Sequence, residues 1–275
     1  MSKLLFGRSE DSLHRTQQRR IGSHRRKMRE VLSKALGEAY EAAARSVEND
    51  GDAGAAGRRA VEVLEREARD AVLEEYESTI REASDRLAKA ARRRRQGKSY
   101  PGWGRHTKDE ESAVERAIDA WLATHAAERI TNIEDTTREQ VRRIVSRARR
   151  DGETMQDIAK RVRDVGPQFS RYRSQMISRT ETLAGWMGGE TATAKRMVPD
   201  MQKEWISSAD DRVRGDPGGR WDDADFSHHA AHGQMVGMDE QFDVDGERLD
   251  HPGDPMGSAA NVINCRCVLG YVEPD

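Results

Sequence analysis

Apolar side chains recur at the spacing of one helix face through most of the first two hundred residues, and this periodicity constrains the fold more than any other feature. The runs begin near Met28, Val61 and Val114, and each follows the i, i+3, i+4 pattern of an amphipathic helix. Segments rich in glycine or containing proline, at 50–57 and 96–106, separate the runs. The pattern predicts long helices joined by short breaks.

Two further helices are predicted after these runs. Thr154 and Asp157 have the spacing of a capping box, with Asp in place of the usual Glu or Gln. The helix that they open is expected to end at Gly166 and Pro167, because proline lacks a backbone N–H. The last helix is predicted over 175–197, after which the periodicity fades.

The apolar faces of these helices carry few large hydrophobic side chains. Hydrophobic residues make up 35% of the chain, charged residues 35% and aromatic residues only 5%. Such a chain cannot fill one large compact core, so we expect extended helices, contacts with partners or partial disorder.

Charge is unevenly distributed along the chain. The net charge of −2 is the sum of +9 over residues 1–199 and −11 over residues 200–275. This asymmetry favours a protein that contacts two different surfaces. The alternative is that both parts are simply well solvated.

Two basic segments are candidate contact sites for nucleic acid or a partner protein. Residues 1–29 are predicted to form a basic arm, either a flexible solvated tail or a contact for phosphates. The run 92–95 is interpreted in the same way, or as positive charge at the C-terminus of a helix. The candidate contact residues are Arg19, Arg20, Arg25, Arg26, Arg92, Arg93, Arg94 and Arg95.

The final part of the chain has a different character. Glycine, proline, aspartate and histidine become frequent, and short strand-like pieces occur at 203–206, 262–263 and 268–272. We predict a mostly α-helical N-terminal region with long helices over 30–153. A small, loop-rich α+β module is predicted to follow over 154–275.

Cysteine and histidine in this module indicate a metal site. Cys265 and Cys267 are separated by one residue, and a disulfide across that spacing would be strained, which favours reduced thiols or metal ligands. Together with His229 and His232 they offer the ligand types that zinc takes in tetrahedral sites. The alternative is a pair of buried thiols beside a histidine-rich surface loop.

An ordered series of motifs carries a resemblance to a known family. The motifs are SRTET at 178–182, Trp205, DDRVR at 210–214, HAAHGQ at 229–234, PGDP at 252–255 and INCRC at 263–267. In this order and spacing the segment resembles the Mu F-like head morphogenesis family of phage minor head proteins. An insert-like stretch before the histidine motif departs from the family pattern, and we assign His229 to the family position.

The resemblance implies a capsid component with few copies per particle, located in the capsid interior near the portal. Its implied partners are the portal protein and the major capsid protein, with packaged DNA a further candidate.

No stretch approaches the ~20 apolar residues that span a bilayer, and the N-terminus does not resemble a secretory signal. We therefore expect no membrane contact and folding in the host cytoplasm.

Polar residues of these motifs are predicted to tie the helix to the loops, and Trp205 is predicted to anchor a small core. The predicted structural residues are Arg179, Thr180, Glu181, Trp205, Asp211, Arg212, Arg214, Asp254 and Asn264.

Two other functions remain as alternatives. Clustered His, Asp and Asn residues could build a metal-dependent nuclease, but the P-loop, GxSxG and GxGxxG motifs are missing from the sequence and no paired-carboxylate pattern occurs. We therefore predict a protein that is not an enzyme. A non-specific DNA-binding structural protein is the third hypothesis.

Overall fold

The structure is a computed structural model that describes Leu5, residues 9–97 and residues 108–274. Its residues form two compact units. Unit 1 comprises 1–24, 77–122 and 179–275, and unit 2 comprises 25–76 and 123–178. The predicted loop at 96–106 lies almost entirely outside the described residues.

Long helices form most of the described chain. Their bounds are α1 Glu10–Asp50, α2 Ala53–Glu67, α3 Arg69–Gly97, α4 Lys108–Arg150 and α5 Met155–Met197. A small α+β module with many loops follows α5. The predicted fold class is therefore confirmed. Within the described residues, every helix is too polar or too short to cross a membrane.

The C-terminal module contains two small antiparallel sheets. Its elements are β1 Gln202–Ile206, β2 Met235–Gly237, β3 Phe242–Val244, β4 Glu247–Leu249, α6 Ala259–Val262 and β5 Val268–Val272. The larger sheet has the order β2-β1-β5, with Trp205 opposite Leu269, and β3 pairs with β4 in the smaller one. The strand predicted at 262–263 is wrong, because Val262 ends the short helix α6.

The prediction of a flexible basic arm is also wrong over its described part. Residues 10–29 belong to α1, and Leu13, Gln17, Ile21 and His24 are buried at helical spacing. The pattern escaped sequence analysis because two of these four side chains are polar. Their burial depends on partners that are distant in sequence, such as Glu190 for Gln17. Residues 1–4 and 6–8 lie outside the described part.

Glycine and proline interrupt the helices less than predicted. The segment 50–57 contains a short break, but α2 already begins at Ala53, where Asp52 accepts a hydrogen bond from the backbone N–H of Ala55. Pro167 lies inside α5, so Gly166 and Pro167 do not end a helix. A Cβ atom at Gly166 would lie 2.9 Å from Cβ of Tyr40, which indicates that this glycine permits close packing within unit 2.

One half of the predicted capping box, the hydrogen bond to the N-cap hydroxyl, is present at the start of α5. Thr154 Oγ1 accepts a hydrogen bond from the backbone N–H of Asp157 at 3.2 Å and donates one to Asp157 Oδ2 at 2.6 Å. This arrangement satisfies an N–H group that would otherwise lack a partner in the first turn.

Unit 1 is organised around the second half of α5, in which residues 180–191 are all buried. A helix buried on every side needs small residues where its neighbours approach closely. At Gly189 a Cβ atom would lie 2.6 Å from the backbone oxygen of Ile80 on α3. The contact is with backbone, so a flexible side chain cannot relieve it.

We predict that Gly189→Ala lowers the free energy of unfolding by about 1–3 kcal/mol, because the added methyl group overpacks the contact with α3. Gly22→Ala is the matched control, since a Cβ atom at this helical glycine meets nothing within 4 Å. The control should be about 1 kcal/mol more stable than wild type, as expected for alanine replacing glycine in a helix. Urea denaturation followed by far-UV circular dichroism measures both, and equal effects would contradict the packing argument.

Candidate metal centre

A buried cluster of one histidine and two cysteines lies in unit 1. His228 belongs to the long connection between β1 and β2, and Cys265 and Cys267 lie between α6 and β5. All three side chains are buried. Trp205 on β1 packs edge-on against the His228 ring, with 5.4 Å between the ring centroids. The sheet thus supplies a rigid wall behind a site that is otherwise made from loops.

Both sulfur atoms face the same nitrogen of His228. The Nδ1 atom lies 3.5 Å from Sγ of Cys265 and 3.4 Å from Sγ of Cys267. All three candidate ligand atoms lie within 4.8 Å of one another. Thiolate and imidazole are ligands that zinc accepts, so this cluster could hold a metal ion.

A chain of hydrogen bonds orients the imidazole. The Nε2 atom of His228 lies 2.7 Å from Oδ1 of Asn261. Asn261 in turn donates from Nδ2 to Oε2 of Glu247 at 2.8 Å, which fixes the orientation of its amide. Because Oδ1 can only accept, Nε2 must carry the hydrogen. In the neutral imidazole, Nδ1 then presents a lone pair to the two sulfur atoms.

Electrostatics favours a single thiolate in this cluster. Burial raises the pKa of the Cys265 thiol, but the hydrogen bond from Cys267 and, when the imidazole is protonated, the positive charge of His228 outweigh that effect and bring the pKa well below its ordinary value. Burial and the neighbouring Cys265 raise the pKa of Cys267 well above its ordinary value. One proton thus leaves the pair readily and the second is held, unless a further positive charge is present.

Arginine side chains hold the loops that carry the cluster. Arg214 donates to the backbone oxygens of Asn261 and Ile263, on either side of the end of α6. Arg266, between the two cysteines, forms a bidentate ion pair with Asp210. The Arg266 guanidinium holds the pKa of the Asp210 carboxyl well below its ordinary value, in spite of the opposing effect of partial burial.

A second contact connects α5 to the same loop. Arg179 Nη1 donates to Oδ1 of Asn264 at 3.0 Å, and Oγ1 of Thr180 accepts from the Asn264 backbone N–H at 3.1 Å. Asn264 has a φ of 61°, in the left-handed region that asparagine tolerates better than most residues. These contacts fix the turn that leads into Cys265.

The cluster borders a cavity of about 570 Å³. His228, Cys265 and Cys267 all line it, and the rest of its wall is strongly basic. The arginines in the wall are Arg179, Arg212, Arg214, Arg220 and Arg266. Such a wall favours an anionic ligand, although Asp210 and Asp211 neutralise part of its charge.

The histidines selected from the sequence lie outside the cluster. His229 is exposed, and its Nδ1 atom lies 3.2 Å from Asp216. His232 is also exposed, with its Nδ1 atom facing the backbone N–H of Ser207 at 3.4 Å. The structure therefore replaces both with His228 and keeps Cys265 and Cys267. In an irregular loop, adjacent residues point in different directions, and no periodicity identifies the inward one.

The other selected residues are distributed between buried and exposed positions. Trp205 and Glu181 are buried, and Asp254 is buried with its carboxylate accepting the backbone N–H groups of Asp250 and Met256. Asp211 and Arg212 are exposed.

The selected basic residues are equally varied. Arg20 pairs with Glu82, and Arg94 with Glu273. Arg25 and Arg92 are partly buried and engaged in contacts. The exposed members are Arg19, Arg20, Arg26 and Arg93, and the side chain of Arg95 lies outside the described part of the chain.

Sequence reasoning missed the residues that support the site from a distance. Asn261 and Glu247 are common polar types in a loop-rich segment, so nothing in the pattern distinguishes them. Asp210 lies in the DDRVR motif but was not selected as a site residue. Arg266 carried a usable signal, because a cation between two cysteines of a CxC sequence lies beside any thiolate that forms there.

Comparison with known proteins matches part of the chain to a family. A family model described as phage Mu protein F like protein matches residues 139–270, which include the complete candidate metal centre. The resemblance inferred from the ordered motifs is therefore confirmed over this segment. Neither the curated proteins nor the solved structures yield a match.

We predict that Asp210→Asn lowers stability at neutral pH by about 1 kcal/mol, because the pair with Arg266 is charged but partly exposed. The folded-state pKa of Asp210 lies below its unfolded value. The stabilisation is therefore present above about pH 4 and is lost as the pH falls below that value. Thermal unfolding at several pH values should show the difference from wild type shrinking in acid.

Asp211→Asn is the control, because this neighbouring carboxylate is exposed and pairs with exposed Arg220. It should change stability by well under 1 kcal/mol at every pH. A deficit of Asp210→Asn that stays constant down to acid pH would show that the carboxylate charge is not responsible.

Proposed function

Because residues 139–270 match the family of phage Mu protein F like proteins, we propose that this chain is a minor head protein of a tailed phage. The family is one of structural phage head proteins, which favours an assembly role over catalysis. We propose further that the protein is bound near the portal inside the capsid, where it assists head morphogenesis and DNA packaging or delivery. The family match is the observation that carries this proposal.

The described helices support a role in protein contacts. Their solvent faces carry many charges, and unit 2 also exposes an aromatic side chain, Tyr172, which is 65% exposed on α5. Exposed aromatic residues are enriched where proteins bind one another. The portal protein and the major capsid protein are the partners that this role requires.

The distribution of charge supports proximity to DNA. Arg19 and Arg26 are exposed on α1, and Arg93 is exposed on α3. Arg19 and Arg93 belong to unit 1, and Arg26 belongs to unit 2. Exposed guanidinium groups can contact phosphates without reading sequence, as expected for a protein beside packaged DNA.

Purified particles provide the direct test of the assembly role. We predict that quantitative mass spectrometry of phage heads detects a few copies of this chain per particle, retained when tails are removed. Cryo-electron microscopy of particles that carry a tagged chain should show the added density at the portal vertex. Absence of the chain from both immature and mature heads would refute the proposal, and density spread over the capsid faces would refute its portal location.

Salt dependence tests the contact with DNA. We predict that log affinity for duplex DNA falls linearly with log salt. The triple variant Arg19→Gln, Arg26→Gln, Arg93→Gln should reduce the slope by about 1 for each phosphate that the arginines no longer neutralise. The control changes three exposed arginines outside both basic segments, Arg58, Arg143 and Arg248, to Gln. Equal slopes for the two triple variants would show that DNA does not bind at the proposed residues.

A further inference from the structure

We propose that Cys265, Cys267 and His228 bind one zinc ion through three protein ligands, with the fourth coordination position facing the arginine-lined cavity. This inference rests on the local geometry of unit 1 and holds independently of the proposed role in head assembly. It assigns to the chain a cofactor and an exchangeable ligand position.

The two sulfur–nitrogen distances in the cluster are close to those of a zinc tetrahedron. With a Zn–S bond of about 2.3 Å and a Zn–N bond of about 2.0 Å, tetrahedral geometry separates sulfur and nitrogen by about 3.5 Å. The two observed separations from Nδ1 of His228 are 3.5 Å and 3.4 Å. The imidazole nitrogen therefore already lies at the distance from each sulfur atom that a shared zinc ion would require.

The hydrogen-bond chain behind the histidine is the one that a metal site requires. A ligating imidazole usually donates its other ring N–H to an oxygen atom, which fixes the tautomer and the ring orientation. Here Nε2 donates to Asn261, and Glu247 fixes the Asn261 amide. The lone pair on Nδ1 is thereby directed at the space between the two sulfur atoms.

A metal also accounts for the two thiols more completely than hydrogen bonding does. Nδ1 of a neutral imidazole has one lone pair, yet two sulfur atoms lie at nearly equal distances from it. A divalent cation among the three atoms would use that lone pair and both thiolates, and it would offset the cost of burying negative charge.

The described part of the chain supplies no fourth ligand to the cluster, and the cavity adjoins the three ligands that it does supply. Among the residues that the structure describes, only these three His, Cys, Asp or Glu side chains meet in the cluster. All three also line the cavity, together with Arg214 and four other arginines. Two thiolates neutralise the ion, and the basic wall then favours an anion over water at the open position. Small anions such as azide or inorganic phosphate are the simplest probes of such a site.

The first experiment measures metal in the untagged full-length protein, purified without chelators. We expect close to one zinc ion per chain, measured by inductively coupled plasma mass spectrometry. His228→Ala, Cys265→Ser and Cys267→Ser should each lower the occupancy at least tenfold. Asn261→Ala should weaken zinc binding by about 10- to 100-fold, because it removes the hydrogen bond that orients His228 and leaves all three ligands in place.

His229→Ala and His232→Ala are the matched controls, because both histidines belong to the same loop and lie outside the cluster. They should keep full occupancy. Zinc lost from either control but retained in His228→Ala would overturn the ligand assignment.

A cobalt titration of the wild-type apoprotein keeps the proposal testable even if the variants fail to fold. Bound Co²⁺ should show a thiolate charge-transfer band and the intense visible bands of tetrahedral coordination. Azide or phosphate should shift those visible bands, and an unchanged spectrum would overturn the open fourth position. A wild-type protein that binds neither zinc nor cobalt, or that contains a Cys265–Cys267 disulfide by mass spectrometry, would overturn the metal site itself.

Discussion

The buried carboxylate of Glu190 connects three helices of unit 1. It lies on α5 with its side chain fully buried, and it accepts hydrogen bonds from Gln17 on α1 and Arg86 on α3. Burial raises the pKa of Glu190, and the Arg86 guanidinium opposes that effect. Removal of one partner from such a buried pair typically costs about 3–5 kcal/mol, because the other charge is left without compensation. The packing of α1 and α3 on the second half of α5 depends on this contact.

The candidate metal centre depends on the same helix. Arg179 and Thr180, at the start of the buried half of α5, hold Asn264 in the turn that precedes Cys265. From there the site is maintained by polar contacts, with Arg214 and the Arg266–Asp210 pair fixing two loops. Polar contacts can position a buried cluster in this way, because charge-assisted hydrogen bonds are stronger than neutral ones and bidentate pairs fix the relative orientation of the two groups.

A zinc ion would add stability where the apolar core is small. Binding of a metal by ligands that come together only in the folded state contributes directly to the free energy of folding. The site joins residues from the loop after β1 and from the segment before β5. These segments are also linked by the pairing of β1 with β5 and by the contacts of Arg214 and Asp210. In a protein proposed to act in assembly, such a link would hold the loops in one conformation while the exposed faces contact partners.

The sequence by itself determined the elements that depend on local pattern. Helical periodicity predicted the long helices, Thr154 and Asp157 predicted the start of α5, and the loss of periodicity near residue 200 marked the α+β module. The ordered motifs also indicated the family that the comparison matched. These inferences succeed because propensity, capping and motif spacing are properties of neighbouring residues.

Only the tertiary structure decided what depends on distant partners. It placed His228 instead of His229 or His232 beside Cys265 and Cys267, because the direction of a side chain in an irregular loop is set by what packs against it. It also placed the basic segment in α1, where the buried Gln17 donates a hydrogen bond to Glu190 on α5. From sequence alone, a polar residue on a helix is predicted to be exposed. It can be buried when the fold brings a hydrogen-bond partner to it.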